Sequence, residues 1–190
     1  FAGNIVQPTP LRLQYLDMVL TSYQENYSTA MPVDGWSIHN FILNEDCDDW
    51  GASIPPGIAC NASGAVTIDL DETDDMTVFQ QRIVDFRTWM EINGYKETPL
   101  YVTEYGILMP QDFGYPSERV NAFMDATFDY MMTAEDATLG YSVDSNHLVQ
   151  KWSWYSVDDN GFNGWLFERS TKQLSDMGVN YQNYTAVLQN

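Results

Sequence analysis

Segments with the periodicity of β-strands and segments with the periodicity of α-helices alternate strictly along this chain of 190 residues. Apolar residues recur every three or four positions after Pro10 and again after Thr77, as they do on the buried face of a helix. Runs rich in β-branched and aromatic residues lie between these segments, and that composition is typical of strands. The predicted strands are 1–6, 33–43, 100–108 and 147–156, and the predicted helices are 10–27, 78–93 with Thr77 as its cap, one that opens at Pro116-Ser117-Glu118 and one near Tyr181.

This alternation predicts the class of fold. Strands joined by helical connections run parallel, and the helices cover the sheet that the strands form. We therefore predict an α/β protein of parallel βα units in a single domain that spans residues 1–190. Four such units are half of a TIM (β/α)8 barrel, whose typical length is about 250 residues. The chain opens inside the first predicted strand, at Phe1, so we expect the protein to continue upstream.

The charge of the chain is strongly negative. Acidic residues number 27 and lysines and arginines 8, so the formal net charge is −19. Such an acidic surface repels nucleic acid and anionic membranes, and neither is expected as a partner. The sequence has no apolar run of about eighteen residues and no signal-like opening segment. Two interpretations of the charge stay open: a surface that keeps the protein in solution, or a halophilic surface whose self-repulsion is screened by salt.

One acidic run, Asp69-Leu70-Asp71-Glu72-Thr73-Asp74-Asp75, has enough carboxylates to suggest a calcium site. The run lacks the glycine and the terminal glutamate of an EF-hand loop. We therefore expect that the protein binds no metal and no cofactor, with calcium at this run as the alternative.

Cys47 and Cys60 bracket an irregular segment that contains glycines and prolines. The arrangement favours a disulfide, because closing this loop would stabilise the fold by about 3 kcal/mol in the chain-entropy model. Two buried free thiols are the alternative. A disulfide indicates an oxidising compartment, so we predict a secreted or extracytoplasmic protein. Glycosylation sequons begin at Asn26, Asn61 and Asn183, but a bacterial host would leave them unmodified.

Glu104 is the strongest candidate for a catalytic residue. It lies near the end of the predicted strand that begins at Leu100, and catalytic groups of parallel α/β folds lie at the carboxyl ends of strands. A carboxylate in this place can be held rigidly and partly desolvated, as a nucleophile or an acid/base group requires. A structural carboxylate in a salt bridge is the alternative, and position alone does not separate the two.

The context of Glu104 resembles a known group of enzymes. The segment Pro99-Leu100-Tyr101-Val102-Thr103-Glu104-Tyr105-Gly106 is similar to the seventh-strand motif of clan-A retaining glycoside hydrolases, which are (β/α)8 barrels. Three more segments resemble the clan's sixth strand, eighth strand and closing segment, in that order: Trp36-Ser37-Ile38-His39-Asn40, Lys151-Trp152-Ser153-Trp154-Tyr155-Ser156 and Leu174-Ser175-Asp176-Met177-Gly178-Val179-Asn180-Tyr181. Together they cover nearly the whole chain, but they do not distinguish cellulase-like, xylosidase-like and β-1,3-glucanase-like members.

The resemblance implies a function and a set of site residues. Glu104 would be the nucleophile of a double displacement that hydrolyses O-glycosidic bonds of a β-linked polysaccharide or oligosaccharide. The residues implied in substrate binding are His39, Asn40, Tyr105, Trp152 and Trp154. Trp154 is favoured over Trp152 because it is nearer the carboxyl end of its strand. A place in the core remains the alternative for His39 and for both tryptophans.

A retaining mechanism also needs a second carboxyl, about 5 to 5.5 Å from the first. Glu45 is a candidate, because the clan's acid/base residue is the glutamate of an Asn-Glu pair and Glu45 follows Asn44. The strand count argues against it, since only one helix and at most one weak strand, 65–70, separate Glu45 from Glu104. We therefore expect the acid/base residue upstream of Phe1 and retain Glu45 as the weaker alternative.

Three functions are compatible with these patterns. The first is hydrolysis of a β-linked polysaccharide, and the second is an inactive sugar-binding or scaffold protein without the acid/base residue. The third, a tryptophan-rich β-sandwich that binds carbohydrate, conflicts with the periodic helices. A half-barrel would leave its edge strands and an apolar inner face open to water, so we expect either a homodimer or a missing N-terminal half to cover them.

Overall fold

The structure, a computed structural model, describes residues 1–159 and 161–188. It contains four strands and four helices in alternation, with two short 3-10 turns at Gln111–Phe113 and Ser142–Asp144. The strands are β1 (Ala2–Ile5), β2 (Trp36–His39), β3 (Leu100–Tyr105) and β4 (Lys151–Trp154), and the helices are α1 (Pro10–Tyr27), α2 (Met76–Ile92), α3 (Ser117–Thr133) and α4 (Asp176–Val187). The strands form one parallel sheet in the order β1-β2-β3-β4. The predicted α/β class with parallel strands is confirmed.

The strands are all shorter than predicted, and β2 shows why. The prediction carried this strand to Leu43, but the backbone of Leu43 pairs with a side chain instead of a neighbouring strand. Its N–H donates to Gln7 Oε1 at 2.9 Å, and Gln7 Nε2 donates to its carbonyl at 3.1 Å. The apolar run of the sequence therefore continues into a buried loop after the strand has ended.

The start of α2 also differs from the prediction. Thr77 was predicted as the cap, but Asp75 holds that position, and its carboxylate accepts hydrogen bonds from the N–H groups of Thr77 (2.7 Å) and Val78 (3.3 Å). Aspartate satisfies two free helix donors here and places its negative charge at the positive end of the helix dipole. Gly94 follows the helix with φ of 80°, a left-handed conformation that favours glycine and ends the helix.

The helices cover one face of the sheet. Strand order follows chain order, and right-handed crossovers then place every connecting helix on the same side. Buried residues of the strands meet buried residues of the helices in one hydrophobic core. The strand residues in this core are Ile5, Trp36, Ile38, Leu100, Val102, Tyr105 and Trp154, and helix residues packed on them include Leu16, Phe79, Ile83, Phe86, Met90, Phe123, Phe128 and Met177.

The opposite face of the sheet carries small and polar side chains. The strand register sets Gly3, Ser37, Tyr101 and Lys151 side by side on it. Tyr101 is the largest of them, and its ring contacts Phe1 with centroids 5.0 Å apart. The expectation of an apolar inner face is therefore wrong, because alternation sends the apolar strand residues to the helix side.

A long connection, residues 40–75, lies between β2 and α2. It contains the Cys47–Cys60 disulfide, whose Cα atoms are 5.8 Å apart, so the predicted pairing is confirmed. Arg12 Nη2 of α1 donates to the carbonyl of Ser53 at 2.7 Å and fixes the disulfide-closed loop to the body of the fold.

Among the residues described, no helix combines the length and the apolar character that crossing a membrane requires.

Candidate active site

The carboxyl ends of β2 and β3 bring two of the predicted site residues together. The strand register pairs His39 with Glu104, and His39 Nδ1 lies 3.5 Å from Glu104 Oε2. Both side chains reach solvent, with 44% of the Glu104 side chain and 21% of the His39 side chain exposed. A histidine and a carboxylate that are 65 positions apart in sequence thus form one polar pair at the edge where catalytic groups of parallel sheets are found.

An irregularity in β3 directs the Glu104 side chain to this edge. Leu100 and Val102 face the helices, so strict alternation would place Glu104 there as well. The register shifts between Val102 and Tyr105, and Tyr105 takes the buried position instead. A bulge of this kind re-aims one side chain and is common beside active sites. Glu104 consequently faces the open side of the sheet, where solvent reaches it.

The environment of His39 keeps its imidazole neutral near pH 7. Burial lowers the pKa of His39 from its ordinary value of 6.5, and the negative charge of Glu104 offsets part of this effect. A neutral imidazole at this distance places a polar ring, and no full positive charge, beside the Glu104 carboxylate.

Two aromatic residues that sequence reasoning did not single out adjoin this pair. The Phe41 ring lies 6.2 Å from the His39 ring and 5.7 Å from the Tyr155 ring, edge-on to both. Burial, followed by the negative charges of Asp159 and Glu104, raises the pKa of Tyr155, so its hydroxyl stays protonated and able to donate. Phe41 lies just after the end of β2 and Tyr155 just after the end of β4. Their position after predicted strands is the sequence feature that could have identified them as site residues.

Three predicted substrate-binding residues lie on the other side of the sheet. The rings of Tyr105, Trp152 and Trp154 all lie 6.4 to 6.5 Å from the ring of Phe128, in the layer that the helices cover. Tyr105 is fully buried, and Trp154 Nε1 donates to the carbonyl of Gly164 at 2.7 Å. The structure therefore places Tyr105 and Trp154 in the core and Trp152, which is partly buried, against it, on the face of the sheet opposite Glu104.

Asn40 links the ends of the two strands that carry His39 and Glu104. Its backbone N–H donates to the carbonyl of Glu104 at 2.9 Å and continues the pairing of β2 with β3. Its buried side chain donates from Nδ2 to the carbonyl of Phe79 at 3.1 Å, on the helix side. Asn40 thus helps to hold the two strand ends together, and its amide does not face the open edge.

Glu45 is buried in a polar network and points away from solvent. Its carboxylate pairs with Arg12, accepts from Thr9 Oγ1 at 2.6 Å and accepts from the N–H of Val66 at 3.3 Å. Both carboxylate oxygens are used in these contacts, as expected of a structural carboxylate. Residues 65–70 do not form a strand. In the described chain, α2 is therefore the one helix between Glu45 and Glu104, and β3 is the first strand after Glu45. This agrees with the strand count from the sequence, which argued against Glu45 as the acid/base residue.

Two carboxylates of the acidic run, Asp74 and Asp75, serve the fold. Asp75 caps α2, and Asp74 pairs with Arg119, whose Nε lies 2.6 Å from Asp74 Oδ2. Within residues 1–159 and 161–188, no three His, Cys, Asp or Glu side chains form a group that could hold a metal ion. The structure thus gives the calcium alternative no support.

Two large grooves of the described chain lie away from Glu104. One of about 630 Å³ follows α1 beside Tyr15 and Tyr23, and one of about 520 Å³ lies between Pro10 and Arg82. Glu104 instead stands at the rim of an open sheet face. A substrate site there would be enclosed only by a further part of the protein or by a partner.

We expect the pKa of His39 to fall further when Glu104 is replaced by glutamine. The carboxylate is the group that raises this pKa against the effect of burial, and the amide carries no charge. Titration of the histidine resonances by NMR would measure the shift. His147 is the internal control, because its Nε2 lies 3.4 Å from Glu135 and not beside Glu104. An unchanged His39 titration would show that the two side chains do not interact in solution.

The lowered pKa of His39 also makes the stability of the fold depend on pH. Between the folded pKa of His39 and 6.5, the unfolded chain binds more protons than the folded one, so stability rises with pH across this window. The fold therefore has the full stability that a neutral His39 allows above pH 6.5. It loses this stability as the pH falls through the folded pKa of His39.

Comparison with known proteins gives no family assignment. The chain matches no model of a known protein family, and no curated protein matches it.

Proposed function

We propose that this chain is the C-terminal half of a TIM-barrel glycoside hydrolase that cleaves β-linked polysaccharides or oligosaccharides with retention of configuration. The observation that carries the proposal is the position of Glu104: a half-exposed carboxylate, turned outward by a bulge at the carboxyl end of a parallel strand, with His39 within 3.5 Å. A nucleophilic carboxylate needs access to its substrate, a fixed position and a polar neighbour that can orient it.

The sheet supports the barrel part of the proposal. Four parallel strands in sequential order with helices on one side are the arrangement of half a TIM barrel. In a barrel the helices surround the sheet and the uncovered face turns inward. Glu104 would then stand at the carboxyl-terminal mouth of the barrel, where the loops after the strands form the active site.

The proposed reaction has two displacements. Glu104 Oε attacks the anomeric carbon as the bond to the leaving oxygen breaks, and a covalent glycosyl-enzyme forms. A second carboxyl donates a proton to the leaving oxygen and then removes a proton from the water that releases the sugar. Since Glu45 is held in the Arg12 ion pair, we assign this role to a residue from another part of the barrel or from a partner chain.

A mechanism-based label tests the proposal. Dinitrophenyl 2-deoxy-2-fluoro-glycosides of glucose and xylose need little acid catalysis, so a lone nucleophile can react with them and the intermediate accumulates. We expect a mass increase of one fluorosugar on a peptide that contains Glu104. Heat-denatured protein is the control. Labelling of another residue, or no labelling of the native chain by either sugar, would contradict the proposed role.

A sugar-binding protein without catalysis is the second candidate. The burial of Glu45 favours it, because the only acid/base candidate that the sequence offered is not available. Binding of oligosaccharides without any labelling of Glu104 would support this candidate over the hydrolase.

Assembly follows from the two edges of the sheet. In the described chain β1 and β4 each pair with one strand only, and a second copy, or a missing N-terminal half, would complete eight strands. A net charge of −19 on each copy opposes a homodimer at low salt. We expect light scattering to show a dimer that is favoured by salt, and a monomer at high salt would argue for the missing half.

The disulfide supports a secreted location.

A further inference from the structure

A small apolar cluster covers the carboxyl end of the sheet next to Glu104. We call it the rim cluster. Its buried members are Phe41, Leu43 and Ala52, and its partly buried members are Val6, Trp50, Leu108 and Tyr155. These residues follow all four strands, so the cluster extends across the whole edge of the sheet. Its buried members lie apart from the core between sheet and helices, although Trp50 packs against both clusters, and Trp50 and Tyr155 remain partly exposed to solvent.

Trp50 is held in place by its loop. It lies within the segment closed by the Cys47–Cys60 disulfide, its N–H donates to Asp49 Oδ1 at 2.8 Å, and its carbonyl accepts from Asn44 Nδ2 at 3.5 Å. These contacts fix the backbone of the residue on both sides. A large aromatic ring in a fixed loop loses little conformational entropy when a ligand packs on it.

We propose that Trp50 binds a sugar unit of the substrate by stacking, outside the unit that Glu104 attacks. This inference rests on the proposed function. Glu104 has His39 and Tyr155 as its neighbours, and the Phe41 ring lies between these two residues. Trp50 and Tyr155 are both partly exposed members of the rim cluster, so a sugar chain that crosses the exposed side of the cluster passes from Glu104 to Trp50. The apolar face of a pyranose ring fits the face of an indole.

The charges around Trp50 restrict the substrate to neutral sugars. Asp48 and Asp49 precede Trp50 and are exposed, and Glu104 adds a third carboxylate at the same edge. Arg12, which donates to the carbonyl of Ser53 in the same loop, is buried and paired with Glu45. A uronic-acid chain would be repelled by these carboxylates, whereas a neutral glucan or xylan would not.

The test measures binding of defined oligosaccharides by calorimetry. The probes are cellotetraose, laminaritetraose, xylotetraose and tetragalacturonate, together with the three neutral disaccharides. The variants are Trp50→Ala, Trp50→Leu, which retains apolar packing on the cluster, and Tyr27→Ala. Tyr27 is an exposed aromatic residue at the end of α1 and serves as the matched control.

We expect the native chain to bind at least one neutral tetrasaccharide and not tetragalacturonate. Both Trp50 variants should weaken tetrasaccharide binding about tenfold, the ratio expected from the loss of one aromatic stack. Disaccharide binding and the Tyr27→Ala variant should stay unchanged. If the native chain binds a tetrasaccharide and both Trp50 variants bind it equally well, this inference fails while the proposed function stands. If the native chain binds no saccharide, the proposed function fails as well.

Discussion

Replacement of Glu104 by glutamine should lower the rate of hydrolysis of a dinitrophenyl glycoside by about a thousandfold or more. The amide has nearly the shape of the carboxylate, but it cannot attack the anomeric carbon. The side chain is half exposed and packs little, so the fold should not change. Burst and steady-state kinetics would measure the rate, and circular dichroism would verify the fold.

Glu97→Gln is the matched control for this variant. Glu97 is an exposed glutamate that accepts a hydrogen bond from Ser142 Oγ at 2.5 Å, away from the carboxyl end of β3. The control should hydrolyse the aryl glycoside at the native rate. Native activity in the Glu104→Gln variant would exclude Glu104 as the nucleophile.

Replacement of Glu45 by glutamine should lower the free energy of unfolding by about 3 kcal/mol. The substitution leaves the guanidinium of Arg12 buried without its counter-charge, and burial already lowers the pKa of Arg12 to about 10. The amide also changes one oxygen that accepts from Thr9 or Val66 into a donor. Urea denaturation followed by fluorescence would measure the loss.

An exposed ion pair provides the comparison for Glu45. Arg169 pairs with Asp158, and 53% of the Arg169 side chain is exposed, so Asp158→Asn should lower the stability far less than Glu45→Gln does. Replacing both buried partners, Arg12→Met with Glu45→Leu, should recover most of the lost stability, because no unpaired charge remains. A Glu45→Gln variant with native stability and no activity would instead return Glu45 to the acid/base role.

The helices were the most predictable elements, and their ends were less so. Spacing of apolar residues at three and four positions identifies a helix because only this period keeps them on one face. That signal placed α1 correctly from Pro10 to Tyr27. It did not distinguish Thr77 from Asp75 as the cap of α2, since either side chain can accept from the first free donors.

The sequence by itself determined that parallel strands alternate with helices, that Cys47 lies close enough to Cys60 along the chain to pair with it, and that Glu104 stands near a strand end. These features depend on local periodicity and on short loop closure. Only the tertiary structure decided which side chains meet at that end. A bulge in β3 turned Glu104 outward and Tyr105 inward, and the register of β2 on β3 set His39 against the carboxylate. A shift of one residue in a strand reverses the face of each side chain, and neighbours in space, not in sequence, determine that register.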